Sequence, residues 1–239
     1  MDVDRAAVEA VAAEVRDVGG RATSYVVDVA DAAAVERLAA EVFEAEGHVD
    51  LLFNNAGIGH AGDVVDTPLE DWRRVLEVNL FGVIHGVSAF VPRLVAQGRP
   101  ATIVNTASMA GLLPVAGMVP YSTSKAGVVG LSEALDAELA PRGVRVLALC
   151  PGVIDTAIVR QSVTRGDWAR RQERLTRLYA TRGTSPDVVA RDALAAVARG
   201  RSIVPTPRSQ VAPMWLLKRW APPLARAANR GIARFAARG

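Results

Sequence analysis

V-D-L-L-F-N-N-A-G-I-G-H-A-G, Val49 to Gly62, can be read in two ways that give different proteins. Counted from Gly57 it satisfies G-x-G-x-x-G, the pattern of a dinucleotide-binding turn. Such a turn opens a helix directly and is followed about twenty residues later by an acid at the end of the next strand. Here Thr67-Pro68-Leu69-Glu70, a capping box with proline at the first helical position, puts the next helix start five residues beyond Gly62. The region where the acid would stand reads as helix. The glycine match is a decoy: Val49–Phe53 is a buried strand, and Asn54-Asn55-Ala56-Gly57 closes it.

Outward from that strand, helix and strand patterns alternate. Arg5–Val18 predicts a helix with Val8, Val11, Ala12 and Val15 on one face, stopped by Gly19-Gly20. Ser24–Val29 predicts a short strand ending at Asp28, and a helix follows from Asp31 with Val35, Leu38, Val42 and Phe43 as its stripe. A helical stretch runs from the capping box towards Gln97. Then come a strand at Ala101–Asn105, a helix at Tyr121–Ala140 ended by Pro141 and Gly143, and a buried strand at Val144–Cys150. A polar, Arg-rich helical region covers about 155–179, and a helix at Pro186–Arg199 and a strand at Ser202–Val204 complete the pattern. Alternation of this kind predicts an α/β fold with a parallel sheet and crossover helices.

Half of the 239 residues are apolar, enough to bury a core in one domain over residues 1–207, with 208–239 as a basic C-terminal tail. No apolar run approaches the ~20 residues of a membrane span, and no signal sequence is visible, so a cytoplasmic protein is expected. Cys150 is the single cysteine, which excludes an intrachain disulfide and a cysteine-based zinc site. His48, His60 and His85 lack metal-ligand spacing, so no metal is expected, and His60 reads as a solvated loop residue. Residues 1–150 carry 11 Lys+Arg against 20 Asp+Glu, and residues 151–239 carry 17 against 5. The net charge of +3 thus conceals an acidic body and a basic tail, with no acid after Asp192.

Tyr121-Ser122-Thr123-Ser124-Lys125 carries the chemistry. Four residues apart on one helix, Tyr121 and Lys125 share a face. A free phenol, with a pKa near ~10, is a poor base, and a neighbouring ammonium lowers that value. Ser108 stands thirteen residues before Tyr121, just past a strand; Asn79 lies in V-N-L-F-G; Pro151-Gly152-Val153-Ile154-Asp155-Thr156 closes a later strand.

In order and spacing, these motifs resemble the short-chain dehydrogenase/reductase family over roughly residues 2–205. The resemblance implies a Rossmann-type doubly wound parallel sheet and an NAD(P)-dependent oxidoreductase that interconverts an alcohol and a ketone or aldehyde. It implies that Tyr121 is the general acid/base, Lys125 lowers its pKa and holds the nicotinamide ribose, Ser108 binds the substrate oxygen, and Asn79 supports a water-linked proton relay. Asn55, Ala56 and Gly57 would border the cofactor, Pro151, Gly152 and Thr156 its nicotinamide end, and Asp28 its adenine. Met109, Leu112, Leu113, Val115, Met118 and Val159 would line an apolar substrate pocket, favouring a lipophilic alcohol or ketone.

Family members begin with a strand and a T-G-x-x-x-G-x-G turn, whereas here Asp2 already resembles the acid ending the second strand. By that alignment the first βαβ unit is truncated by about 30 residues. Two functions follow: a working dehydrogenase, or a catalytically impaired homologue that acts as a non-enzymatic oligomer partner. With Asp2 against the ribose, NAD is favoured over NADP, since a carboxylate repels a 2′-phosphate. The helices at 67–97 and 120–140 would pair with their counterparts in a homodimer or homotetramer. In residues 213–239, Arg226, Arg230 and Arg234 recur among Trp215, Trp220 and Leu224, which suits an anionic membrane surface or packing on protein. The acidic body and the lack of a binding motif speak against nucleic acid.

Overall fold

A computed structural model of the chain describes the backbone of residues 1–237 and the side chains of residues 1–231. Four strands, β1 (Leu51–Asn54), β3 (Ala101–Thr106), β4 (Val144–Pro151) and β6 (Ile203–Thr206), form a parallel sheet in the order β1-β3-β4-β6. Its register places Leu51 opposite Thr102, Val104 opposite Leu147, and Leu149 opposite Val204. Strand β4 is almost continuously apolar because helices cover both faces of the sheet. Ile103, Val144 and Val146 face a core shared with α2 (Ala32–Glu46) and α4 (Gly82–Ala96) through Val35, Ala39, Phe90 and Leu94. Further along that face, Ala148 and Cys150 meet Val83, Val128 of α6 (Val119–Leu139), and Val211. On the opposite face Val104, Leu147 and Leu149 pack against Ala193 and Ala196 of α8 (Pro186–Ala198). The architecture is the expected Rossmann-like sheet flanked by helices.

Several boundaries differ from the expectation, each for a local reason. α1 spans Arg5–Asp17, capped by the Asp4 carboxylate. The strand expected at Ser24–Val29 is reduced to one bridge, Asp2 to Val26, in which the Asp2 N–H donates to the Tyr25 carbonyl (3.2 Å) and the Val27 N–H to the Asp2 carbonyl (3.1 Å). The capping box does not form: the Thr67 hydroxyl donates to the Asp63 carbonyl (2.8 Å), and α3 (Leu69–Leu76) starts after Pro68. The helix towards Gln97 contains a π-helical turn at Glu77–Phe81, between α3 and α4. Taken together, Leu69–Ala96 is long and apolar enough to cross a membrane by length and composition, contrary to expectation. Val75, Val83, Ala89, Phe90 and Leu94 instead bury its apolar face in the protein core.

Residues 155–166 are irregular rather than helical. Within them β5 (Val163–Thr164) pairs with β2 (His60–Ala61), and α7 (Asp167–Arg182) begins only after Gly166, whose φ is +54°. The C-terminal segment forms α9 (Arg208–Trp220) and α10 (Pro222–Ala237); the side chain of Arg234 lies outside the described residues. α9 is seated on the body through Val211, which is fully buried.

Candidate active site

The carboxyl ends of β1, β3 and β4 and the first turn of α6 surround a cavity of about 750 Å³. In an open α/β sheet this edge is where ligands bind. Ser108 caps α5 (Met109–Leu112): its hydroxyl accepts the Ala110 N–H (3.1 Å), and it lines the cavity together with Tyr121. The two helices meet closely because Gly111 has no side chain; a Cβ there would lie 2.5 Å from the Lys125 carbonyl oxygen. That contact sets the distance between Ser108 and the start of α6.

Lys125 is 2% exposed, and its ammonium donates to the Thr106 carbonyl at the end of β3 (2.7 Å), 5.9 Å from the centre of the Tyr121 ring. Among the described residues no carboxylate is hydrogen-bonded to it. Burial lowers its pKa to about 8, opposed by the Cys150 thiol. Tyr121 moves the other way: burial pushes its phenol up to about 12, and the neighbouring Ser108 hydroxyl only partly offsets this. The expected depression of the phenol pKa by Lys125 is not seen, because desolvation is the larger effect. Burial also pushes the Cys150 thiol up to about 12, which makes it an inert core residue.

Asn79, fully buried in the π turn, does not line the cavity. Its Oδ1 accepts the Ile58 N–H (2.8 Å), and its Nδ2 donates to the Ile58 carbonyl (2.9 Å) and to the Ser124 hydroxyl (3.3 Å). It pins the segment after β1 against α6. Gly57 lies in that segment, where a Cβ would meet Asn79 Oδ1 at 3.2 Å and Lys125 Nζ at 3.4 Å.

Among the residues expected at the cofactor, Asn55, Gly57, Tyr121, Lys125, Pro151, Gly152 and Thr156 line the cavity, and Ala56 does not. Asp2 and Asp28 also stand outside it, where their carboxylates accept the N–H groups of Asp4 (3.0 Å) and Ala30 (2.9 Å). Ser108, Met109, Val115, Met118 and Val159 line the apolar part, while Leu112 and Leu113 do not. Tyr179 from α7 and Val189 and Ala193 from α8 line it too, and nothing in the sequence singled them out. They reach the cavity through the crossover after β4, which sequence spacing does not encode. His60, expected in solvent, is fully buried.

Residues 1–166 match the short chain dehydrogenase family. Probable oxidoreductase EphD of Mycobacterium tuberculosis is 41% identical over 213 residues, covering 85% of this chain and 36% of that protein. The 1-deoxy-11-beta-hydroxypentalenate dehydrogenase of Streptomyces exfoliatus is 41% identical over 161 residues, covering 66% of this chain and 58% of the relative. The chain thus spans between about a third and three fifths of these curated relatives' length. A crystal structure of a short chain dehydrogenase/reductase from Burkholderia phymatum in complex with NAD superposes with a TM-score of 0.85 at 32% identity, covering 93% of this chain and 84% of that one.

Proposed function

Since the chain belongs to the short-chain dehydrogenase family, we propose that it is an NAD(P)-dependent oxidoreductase interconverting a lipophilic alcohol and its ketone or aldehyde. The observation that carries this reading is the convergence of Ser108, Tyr121 and Lys125 on one apolar cavity, with the buried Lys125 ammonium 5.9 Å from the centre of the Tyr121 ring. The residues present fit the nicotinamide half of the cofactor. Tyr121 and Lys125 would hold the ribose, Asn55 and Gly57 would form one wall, and Pro151, Gly152 and Thr156 would take the carboxamide end. When bound, the nicotinamide supplies or accepts the hydride.

The chain's own residues manage the proton. Ser108 orients the substrate oxygen towards Tyr121. In reduction the phenol, fully protonated at neutral pH with its pKa near 12, donates its proton to that oxygen. In oxidation the same group must accept a proton. Lys125 provides the positive charge that makes this feasible, and Thr106 fixes the ammonium. Asn79 acts from behind, as a positioning residue for the segment that carries Gly57.

NAD is favoured over NADP by Asp2, and by the nucleotide bound to the Burkholderia phymatum structure. The protein would be cytoplasmic and form a homodimer or homotetramer through the outer faces of α3–α4 and α6, where Leu69, Phe81 and Val119 are exposed. A peripheral contact with anionic membranes is supported by α9 and α10. Leu216, Trp220 and Leu224 are exposed there beside Lys218, Arg219, Arg226 and Arg230. Sedimentation with phosphatidylglycerol vesicles tests this: Trp220→Ser should reduce partitioning, and equal partitioning of both forms removes the membrane contact.

The enzyme reading is tested by following NADH oxidation with a panel of ketones headed by 2-decanone, for the protein and for Tyr121→Phe. Turnover lost in the variant supports it. Turnover unchanged by Tyr121→Phe, or no NADH-induced thermal shift in either form, favours the non-enzymatic partner.

A further inference from the structure

The Gly57-Ile58-Gly59-His60-Ala61-Gly62 segment, which is not a pyrophosphate loop, carries the far wall of the cavity. The chain from Ile154 to Ser162 supplies Ile154, Thr156, Ile158, Val159, Gln161 and Ser162 to the cavity lining. It lies directly on the glycines. A Cβ on Gly59 would overlap the Ser162 hydroxyl, and one on Gly62 would lie 3.0 Å from the Arg165 Cβ. At this closeness the backbones bond in parallel: the Val163 N–H donates to the Gly59 carbonyl and the Arg165 N–H to the Ala61 carbonyl, both at 3.0 Å. Two ladder bonds on a two-residue strand are too few to hold a segment of this length by themselves.

The side chains complete the attachment. Arg165 Nε and one terminal nitrogen donate to the two oxygens of Asp71, each at 2.7 Å, in a bidentate pair. Asp71 belongs to α3, its side chain is 5% exposed, and it reaches across 94 positions of sequence to meet Arg165. Beneath it His60 is fully buried, with Nε2 3.3 Å from Asp71 Oδ2. Nδ1 of the same ring has no partner among the described residues, which fits the neutral tautomer that donates from Nε2 and leaves Nδ1 a bare lone pair. The carboxylate is thus gripped from the cavity wall on one side and from the glycine segment on the other.

We infer that Asp71 is a positioning residue for substrate binding, latching the 154–165 segment through Arg165 onto the Gly59–Gly62 platform and so closing the apolar side of the cavity. The word substrate rests on the function proposed above; the latch itself does not. Opening would expose Ile154, Ile158 and Val159 and let a lipophilic molecule in past the segment. Closing presses them onto it. Asp71 touches neither the cavity nor Tyr121, so its loss acts on how firmly the wall closes and leaves the proton-transfer groups in place.

Asp71→Asn tests this with little change of shape, since Arg165, with 43% of its side chain exposed, can turn to water. Amide hydrogen exchange read by NMR at Val163 and Arg165 should accelerate at least tenfold, with the amides of β3 unchanged. Unchanged exchange at Val163 and Arg165, or equal acceleration in β3, overturns the latch. Gly59→Ala, which lifts the segment from below, should reproduce the local acceleration; no effect there counts against the platform. In steady-state reduction of 2-decanone, Asp71→Asn should raise KM about tenfold with kcat within twofold. A fall in kcat at constant KM refutes a positioning role in binding. If the wild-type protein does not turn over the ketone, the dehydrogenase reading fails, and hydrogen exchange still decides the latch.

Discussion

The floor and the far wall of the cavity use charge in opposite ways. On the floor, Lys125 is buried with a carbonyl for a partner and its pKa is driven down to about 8. In the wall, Asp71 is equally dry but doubly bonded to Arg165, whose guanidinium holds its carboxyl below the usual carboxylate range. The wall's charge is satisfied and binds two segments together. The floor's charge is held at a cost to stability, in the place where a proton must move. A strained charge embedded between core elements marks the chemistry, and a paired one marks the fastening.

Replacing the floor's charge gives the largest expected effect. Lys125→Met should lower oxidoreductase activity by roughly 100-fold or more, while leaving the protein as stable at pH 7 or more so. The wild-type protein should also become more stable as pH rises between about 8 and 9, above which the Cys150 thiol, raised to about 12 by burial, acts in the opposite direction. Over that interval the unfolded lysine still binds a proton that the folded one has lost, so ν_U exceeds ν_N and stability climbs. Denaturant titrations at pH 7 and 9 check both points, and a rise in stability over that interval that survives in Lys125→Met would contradict the assignment.

Gly111→Ala comes next, because its Cβ would lie 2.5 Å from backbone that has no rotamer to yield. Overpacking of this kind costs about 1–3 kcal/mol, and pushing α5 off α6 should lower kcat as well. A thermal melt and a turnover assay measure the two; loss of stability without loss of turnover would show that Ser108 is set by something other than this contact.

At acid pH the comparison reverses. Asp136 is kept ionised by Arg145, the Val146 N–H and Ser202, against its own burial. Asp71 and Asp136 have depressed pKa values. The stability they contribute is present above the unfolded value of about 3.9 and is lost as pH falls through the lower folded values. Asp136→Asn should therefore flatten the acid limb of a stability profile and leave the alkaline limb unchanged. The smallest effect concerns Cys150: iodoacetamide should leave it unlabelled for hours in the native protein and label it fully in guanidinium.

Residues adjacent in sequence made the floor legible. Tyr121 and Lys125 share one helix, and Ser108 stands thirteen residues before Tyr121, a spacing that the resemblance to the family turned into a site. The sheet was legible for a similar reason, since continuous apolar runs such as Val144–Cys150 admit few other readings. The wall was not. Asp71 and Arg165 are 94 positions apart, and nothing local marks either as a partner of the other. His60 read as solvated because one histidine in a glycine-rich stretch has no periodicity to bury it; tertiary pairing with β5 does that. Thr67 looked like a cap because its sequence context was right, but its hydroxyl was already committed to the Asp63 carbonyl.

The π-helical turn at Glu77–Phe81 works as a register setting. Upstream of it the helix must present Asp71 to Arg165, and downstream it must present Val83, Phe90 and Leu94 to the sheet. An unbroken α-helix advances about 100° per residue, so one residue inserted in a single turn sets the phase between these two obligations. Asn79 sits at the joint and is turned inward by it. Deleting one residue within the turn would give a more regular helix that could serve the core or the latch, but not both.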